Sequence, residues 1–496
     1  MASYVSLGSY SGTLRIPEFK GLNQYGDSIG TDPRYAMEAS GMLTKQGVLS
    51  PVASCEKLSA SLPAPIETLA RLYRRWYTDD HEVLVAASGG RLYWMLPGSS
   101  EWTLMEMPFG WQQPTYQTNV WSWVAYEINL EDSEAPVDVL LMSNALDGMI
   151  CIRGDTMEVS PVATPKKFGV IARHAERIWG GGIPDDPDML VYSAPYDPFN
   201  WAQNDEIPED GAGDIMQPSW DGDSFTALTT FGSQLLAFKK NRVWRVLGTN
   251  PGEYVFKEQY GGGAAYANTV AVDGLRILTL GRDGLLVYNG ETVEPYRQEY
   301  ARLIFDRMNH AALDQSTACM YGDVYYCALP LDDSPTNNAV LMYNTLEQTF
   351  LLREDVSVEA FLPAEDRMYF TSAETPGRIW LWHEDGWEDD RNVQRAVWVS
   401  PWQNFGLHNV ASGGFQVYLT VECKEPCALN IGIQTEKKLK KKKVVFSPPE
   451  YSRFAKQKRI SFGGSGRRFR LIIESETEIP WRIVGGIQVE AETDVD

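Results

Sequence analysis

Seven segments between residues 82 and 382 repeat one pattern: an apolar run, a turn rich in Gly, Asp or Asn, and a second apolar run carrying an aromatic or a Met. They read EVLVAASGGRLYWM from Glu82, VDVLLMSNALDGMICI from Val137, ERIWGGGIPDDPDMLVYS from Glu176 and SQLLAFKKNRVWRVLG from Ser233. LRILTLGRDGLLVYNG from Leu275, GDVYYCALPLDDSPTNNAVLMYN from Gly322 and DRMYFTSAETPGRIWLW from Asp366 complete the set. The second runs centre on Leu92, Met149, Met189, Val243, Leu285, Leu341 and Ile379. Their spacing averages about 48 residues, which fits one four-stranded propeller blade per repeat. A single blade leaves both faces wet, whereas radial stacking buries them, and this explains an aromatic in nearly every copy. The expectation is an all-β chain built on a seven-bladed propeller, with six or eight blades also compatible with the irregular intervals.

Further strand candidates lie between the hairpins, among them WSWVAYEI from Trp121, SFTALTTF from Ser224 and YVFKEQY from Tyr254. Helical periodicity is nearly absent; Tyr300 to Asn309 is the clearest short candidate. Residues 1–62 lack the repeat and read as an extended arm, either wrapping its own propeller or reaching a neighbouring subunit. Residues 63–400 then hold the propeller. Beyond Ser400–Trp402 the pattern changes to FQVYLTV, ALNIGI, KVVFS, KRISF, RFRLIIES and WRIVGGIQVE, short alternating strands that predict a C-terminal antiparallel β-sandwich over 401–496.

Charge divides along the same boundary. The formal net charge is -22, yet the segment from Pro401 onward holds 15 Lys and Arg against 11 Asp and Glu, so the acidity sits in the first four hundred residues. An acidic bulk argues against gripping nucleic acid or an anionic membrane. No apolar run approaches the ~18 residues of a membrane span, and the N-terminus shows no basic region followed by an apolar core. The six Cys are scattered, which predicts buried thiols made in a reducing compartment rather than a disulfide framework.

The sharpest charge feature is EKKLKKKK, carrying Lys437, Lys438, Lys440, Lys441, Lys442 and Lys443. It reads either as a solvated hairpin tip between ALNIGI and KVVFS or as a contact for an acidic neighbour. A duplex contact is less well matched, because no aromatics interleave with the lysines. In GRRFRLII, Arg468 and Arg470 share one strand face and are candidates for the same subunit contact. Tyr196, Phe199 and Trp201 in YDPFNW are candidates for stacking on sugar rings, or for packing on the adjacent hairpin.

Carboxylates cluster at Asp185, Asp186 and Asp188, at Asp221 and Asp223, and at Glu388, Asp389 and Asp390. A carboxylate pair is the equipment of a glycosidase, but adjacent acids are expected among 66, and Asp-Gly is a turn element. Cys423 and Cys427 form one CxxxC without the second ligand pair that zinc needs, and the five His are far apart. No nucleophile elbow or phosphate loop is present. Neither a catalytic set, a metal nor a cofactor is expected.

The stretch RIWGGG…MLVYSAPYDPFNWAQNDEIPEDGAGDIMQPSWDGDSFTALTTFGSQLLAFKKNRVWRVLG resembles virion proteins of tailed bacteriophages. The opening FKGLN at Phe19–Asn23 and the closing WQNFGLHN to WRIVGGIQVE domain are similar in style. The family resembled is the β-propeller tail nozzle, or hub, of short-tailed phages, also called packaged-DNA stabilisation or tubular tail protein B. That resemblance implies a non-enzymatic homo-oligomeric ring, commonly six copies, beneath the portal and adaptor of the virion tail, made in the host cytoplasm. Double-stranded DNA would pass transiently through it, without membrane insertion. A receptor- or glycan-binding tail-tip protein is the alternative reading, and a propeller glycoside hydrolase the third.

Overall fold

Apolar–polar patterning and turn chemistry together build the blades. The computed structural model describes residues 10–25, 31–75, 81–130, 132–133, 135–216, 222–264, 266–405, 411–449 and 455–494. Strands Ile66–Tyr73, Glu82–Ser88, Arg91–Met95 and Thr103–Leu104 form a four-stranded antiparallel meander, the first blade. Equivalent blades follow within 122–162, 170–216, 225–261, 271–295 and 317–353. Each of the seven repeated segments supplies the middle two strands of its blade, where burial on both faces demands continuous apolar runs. Val137–Asn144 is buried along its whole length.

Asn and Asp side chains close turns both within a repeat and between its strands and the flanking ones. Asn144 Oδ1 accepts the amides of Leu146 and Asp147 at 2.9 and 2.6 Å, and Asn344 does the same for Leu346 and Glu347 at 3.0 and 2.8 Å. Such a side chain satisfies the turn amides and fixes the hairpin register. Asp273 and Asn289 cap two turns of the fifth blade in the same way.

The seventh blade closes the ring. Ala360–Pro363, Met368–Thr371 and Arg378–Leu381 supply three strands, and the fourth and outermost is Glu56–Ser61 from the N-terminal segment. Separate apolar clusters lie between successive blades from the first to the fifth, while the fifth, sixth and seventh share one cluster with the sandwich. Another joins the seventh to the first through Ala60, Leu69, Leu362 and Ile379, which is the contact that circular closure requires. Burial of each leucine or isoleucine side chain among these contributes roughly 1.5–3 kcal/mol. The outer strands of the fourth and fifth blades also meet in parallel, Gly261 opposite Val293. Only glycine fits there, since a Cβ would stand 1.9 Å from the Val293 carbonyl oxygen.

The C-terminal region is a sandwich of two sheets. Tyr10–Ile16, Trp481–Asp494, Ala411–Cys423 and Lys458–Gly466 form one; Ala396–Val399, Phe469–Ser475, Cys427–Thr435 and Leu439–Phe446 form the other. Inward residues such as Val417, Leu419, Ile431, Ile433 and Ile473 are fully or almost fully buried between them. The strand Ala396–Val399 lies just before the boundary expected at residue 400 and pairs with Phe469–Ser475.

The N-terminal segment is woven into its own chain. Tyr10–Ile16 pairs with Trp481–Asp494, and Glu38–Ser40 lies between the outer strand of the sixth blade, Thr349–Arg353, and the sandwich strand Ala396–Val399. A continuous nine-stranded sheet thereby runs from blade to sandwich. Phe19 meets the fully buried Trp398 edge-on at 5.3 Å beneath this joint. Three strands of the 1–62 arm therefore pair within the subunit: Tyr10–Ile16 as a sheet edge, Glu38–Ser40 between two strands, and Glu56–Ser61 as part of a blade. The candidate helix at Tyr300 is reduced to Gln298–Ala301 and Arg302–Phe305.

Candidate functional site

Lys440 to Lys443 occupy the edge strand Leu439–Phe446 of the sandwich, whereas Lys437 and Lys438 lie at the hairpin tip. Only Glu436–Lys438 form the turn, closed by the Thr435 amide on the Lys438 carbonyl at 2.9 Å. Glu436 is fixed by its carboxylate, which accepts the amides of Arg467 and Arg468 at 2.7 and 3.3 Å. Partial burial raises its pKa, but these amide bonds outweigh that and hold it below the ordinary value.

Register sorts the lysines by face. Lys440 and Lys442 lie opposite Ile433 and Ile431, on the core side, whereas Lys441 and Lys443 lie opposite Gly432 and Asn430, on the outer side. The inner pair covers the open side of the sandwich: the Lys442 ammonium sits 5.6 Å from the Phe462 ring, and Lys440 stands over Gly463 and Gly464. On the outer face Lys441 pairs with Glu474 at 2.5 Å. Lys437, Lys438 and Lys443 are exposed and make no ion pair among the described residues. Charges on an edge strand also deter uncontrolled strand addition.

Arg468 and Arg470 do share a face. Their guanidinium carbons lie 4.9 and 5.0 Å from the ring centre of Trp402, and Arg470 Nε donates to Gln434 Oε1 at 2.8 Å. Burial pulls the Arg470 pKa below the ordinary guanidinium value, opposed by the nearby Glu38 carboxylate.

The YDPFNW aromatics are divided between core and solvent. Trp201 packs on Phe168 at 5.2 Å and donates its indole N–H to the Pro198 carbonyl at 2.9 Å; Phe199 packs on the same cluster between the second and third blades. Tyr196 alone is exposed, so the three do not make one flat stacking platform.

The carboxylate clusters are largely occupied by cations. Asp186 pairs with Lys166 at 2.6 Å, Glu388 with Lys45 at 2.6 Å, and Asp390 with Lys424 at 2.7 Å. Asp188 pairs with the fully buried Lys239, which also donates to the Asp223 carbonyl at 2.7 Å. Asp389 lies 3.9 Å from His383. Asp221 and His408 lie outside the described residues. Among the described residues no three His, Cys, Asp or Glu are gathered to hold a metal. Cys423 and Cys427 are free buried thiols, and burial pushes the latter up to about 12.

Two features escape a motif scan. Arg353 is fully buried where the sixth and seventh blades meet the N-terminal segment, bonded to Asp355 at 2.9 Å and to the Ala53 and His383 carbonyls at 2.8 and 3.2 Å. Glu384 lines a cavity of about 260 Å³ with Lys45, Tyr321, Asn344 and Asp385, and burial pushes its carboxyl up to about 7. Nothing in their neighbouring letters marks either residue, because the partners come from distant strands.

No protein-family model matches the sequence, and no curated protein sequence does. Among solved structures the chain is similar to BamB from Moraxella catarrhalis, at 11% identity and TM-score 0.33, over 64% of this chain and 100% of that one. It is similar to PorZ of Porphyromonas gingivalis, at 11% identity and TM-score 0.35, over 70% of this chain and 42% of that one. It is also similar to the β-propeller domain of the trilobed protease from Pyrococcus furiosus, at 10% identity and TM-score 0.33, over 63% of this chain and 95% of that one. The likeness is one of fold alone.

Proposed function

We propose that this chain is a structural, non-enzymatic virion protein of a short-tailed phage, forming a homo-oligomeric ring at the tail that closes and conducts the DNA exit channel. The observation that carries the reading is charge segregation on a joined scaffold. An acidic propeller and a sandwich with a lysine-rich edge are linked through one continuous sheet. A conduit needs such stiffness, because its subunits must hold a fixed bore while a long polymer passes. It also needs weak affinity for the polymer. A duplex carries one negative charge per ~1.7 Å, so an acidic wall leaves it free to slide.

The sequence resemblance supports the same role, with adaptor and portal proteins as the neighbouring partners and the tail as location. Negative-stain microscopy of the purified full chain tests it: closed rings with a central bore are expected, together with antibody labelling at the tail of intact particles. A protein that stays monomeric and releases reducing sugar from polysaccharide would instead be the hydrolase.

A further inference from the structure

The lysine strand is an edge with nothing paired to its outer side among the described residues, and its exposed row is Leu439, Lys441, Lys443 and Val445. Leu439 and Val445 are 41% and 54% exposed, so the row is basic at its centre and apolar at both ends. A surface of complementary composition lies on the third blade. There the connection after Met189–Tyr192 carries Asp205, Glu206, Glu209 and Asp210, all exposed, around an Ile207 that is 50% exposed. The exposed Glu253 of the fourth blade stands beside it. None of these five carboxylates makes an ion pair among the described residues.

This acidic loop is held in shape rather than splayed. The buried Arg177 guanidinium donates to the Glu209 carbonyl, to the Ser193 carbonyl at 2.8 Å and to the Gly211 carbonyl at 2.5 Å. Asn204 Oδ1 accepts the amides of Glu206 and Ile207 at 3.1 and 3.0 Å. Preorganisation lowers the entropic cost of binding. Position then decides who can bind. The sandwich is joined to the sixth blade, and the acidic loop hangs from the third, across a ring of seven. Within one chain the lysine strand and this loop share no packed contact, which leaves each surface open to another copy.

We propose that the lysine edge of one copy docks on the acidic loop of blades three and four of the next copy, head to tail. The contact is heterologous, so its repetition produces a ring when the rotation closes. Lys438 and Lys443 meet Glu206 and Glu209, and Ile207 packs against the apolar end of the strand at Leu439. This rests on the ring reading above and names the surfaces that make it.

The test uses three full-length variants: Lys438→Glu with Lys443→Glu, Glu206→Lys with Glu209→Lys, and all four together. Sedimentation velocity at low and high salt reads self-association, with thermal melts checking that each variant folds. Each two-site reversal is expected to weaken association about tenfold or more, and the four-site reversal to restore it, with salt weakening the wild-type contact. Rings indifferent to both reversals would overturn this pairing and leave the ring reading standing. Loss without restoration in the four-site variant also overturns it. A wild-type chain that never self-associates removes both claims. If reversing the lysines alters only retention of a DNA duplex, the edge is a nucleic-acid surface and the docking proposal is wrong.

Discussion

Ser40 of the N-terminal segment pairs in parallel register with Leu352 on the outer strand of the sixth blade. Its other edge pairs with Val397 of the sandwich, so three residues, Glu38–Ser40, turn two sheets into one. A backbone ladder resists bending far better than a flexible linker, and this joint fixes the lysine edge relative to the propeller.

The joint is testable at Gly41, whose amide donates to the Leu352 carbonyl at 2.9 Å with φ at 65°. A Cβ there would stand 2.4 Å from the Arg395 carbonyl oxygen. Gly41→Val is expected to cost ~2–3 kcal/mol in denaturant unfolding and to make the sandwich separable by limited proteolysis. Unchanged stability and an intact digest would show that the stitch does not hold the domains.

Arg353 offers a second probe, because its planar fork serves Asp355 and two carbonyls and stacks 4.6 Å from the Trp382 ring centre. Arg353→Met leaves the Ala53 and His383 carbonyls without this partner, for an expected loss of about 2–4 kcal/mol. Arg353→Lys keeps the charge but not the fork and should recover less than half of it. Full recovery by Lys, seen in urea titrations, would reduce the role of Arg353 to charge alone.

Much of the propeller was legible in the sequence because its middle strands are apolar on both faces and the turns that join or leave them carry Asn with a local hydrogen-bonding job, as at Asn144 between two middle strands and Asn344 where one leads to the outer strand. The strand Glu38–Ser40 was not legible: three residues show no periodicity, and their partners lie more than 300 positions away. The lysine run misled in another way. Like-charge repulsion favours a solvated turn, but pairing with Asn430–Ile433 and cover from Glu474 and Phe462 hold Lys440 to Lys443 in a strand. Trp201 looked like a stacking candidate since an aromatic's letter does not reveal which face it turns to Phe168.

Glu384 predicts a specific pH dependence. Burial raises its carboxyl from the ordinary 4.5 to about 7, so the folded state binds its proton more tightly than the unfolded chain does. Its contribution to stability is therefore full below about pH 4.5 and falls as pH rises through about 7. Glu384→Gln removes that loss: relative to wild type it should gain about 1–3 kcal/mol near pH 8 and nothing near pH 4. A pH-independent difference in parallel unfolding titrations would contradict this assignment.

The aromatic segment separates packing from recognition. Trp201→Ala should cost about 3 kcal/mol or more by denaturant midpoint, because the ring is packed against Phe168, while Tyr196→Ala should change stability by less than ~0.5 kcal/mol. Glycan-array binding by the wild type that Tyr196→Ala abolishes would favour the receptor-binding reading over the conduit.

The central claim is that this chain works as one copy in a closed ring, and its mass in solution tests that most directly. Mass photometry of the full-length protein should show one discrete multiple of the 55.7 kDa chain, unchanged on moderate dilution. A single peak at the monomer mass across the micromolar range, or an open-ended ladder of sizes, would contradict it.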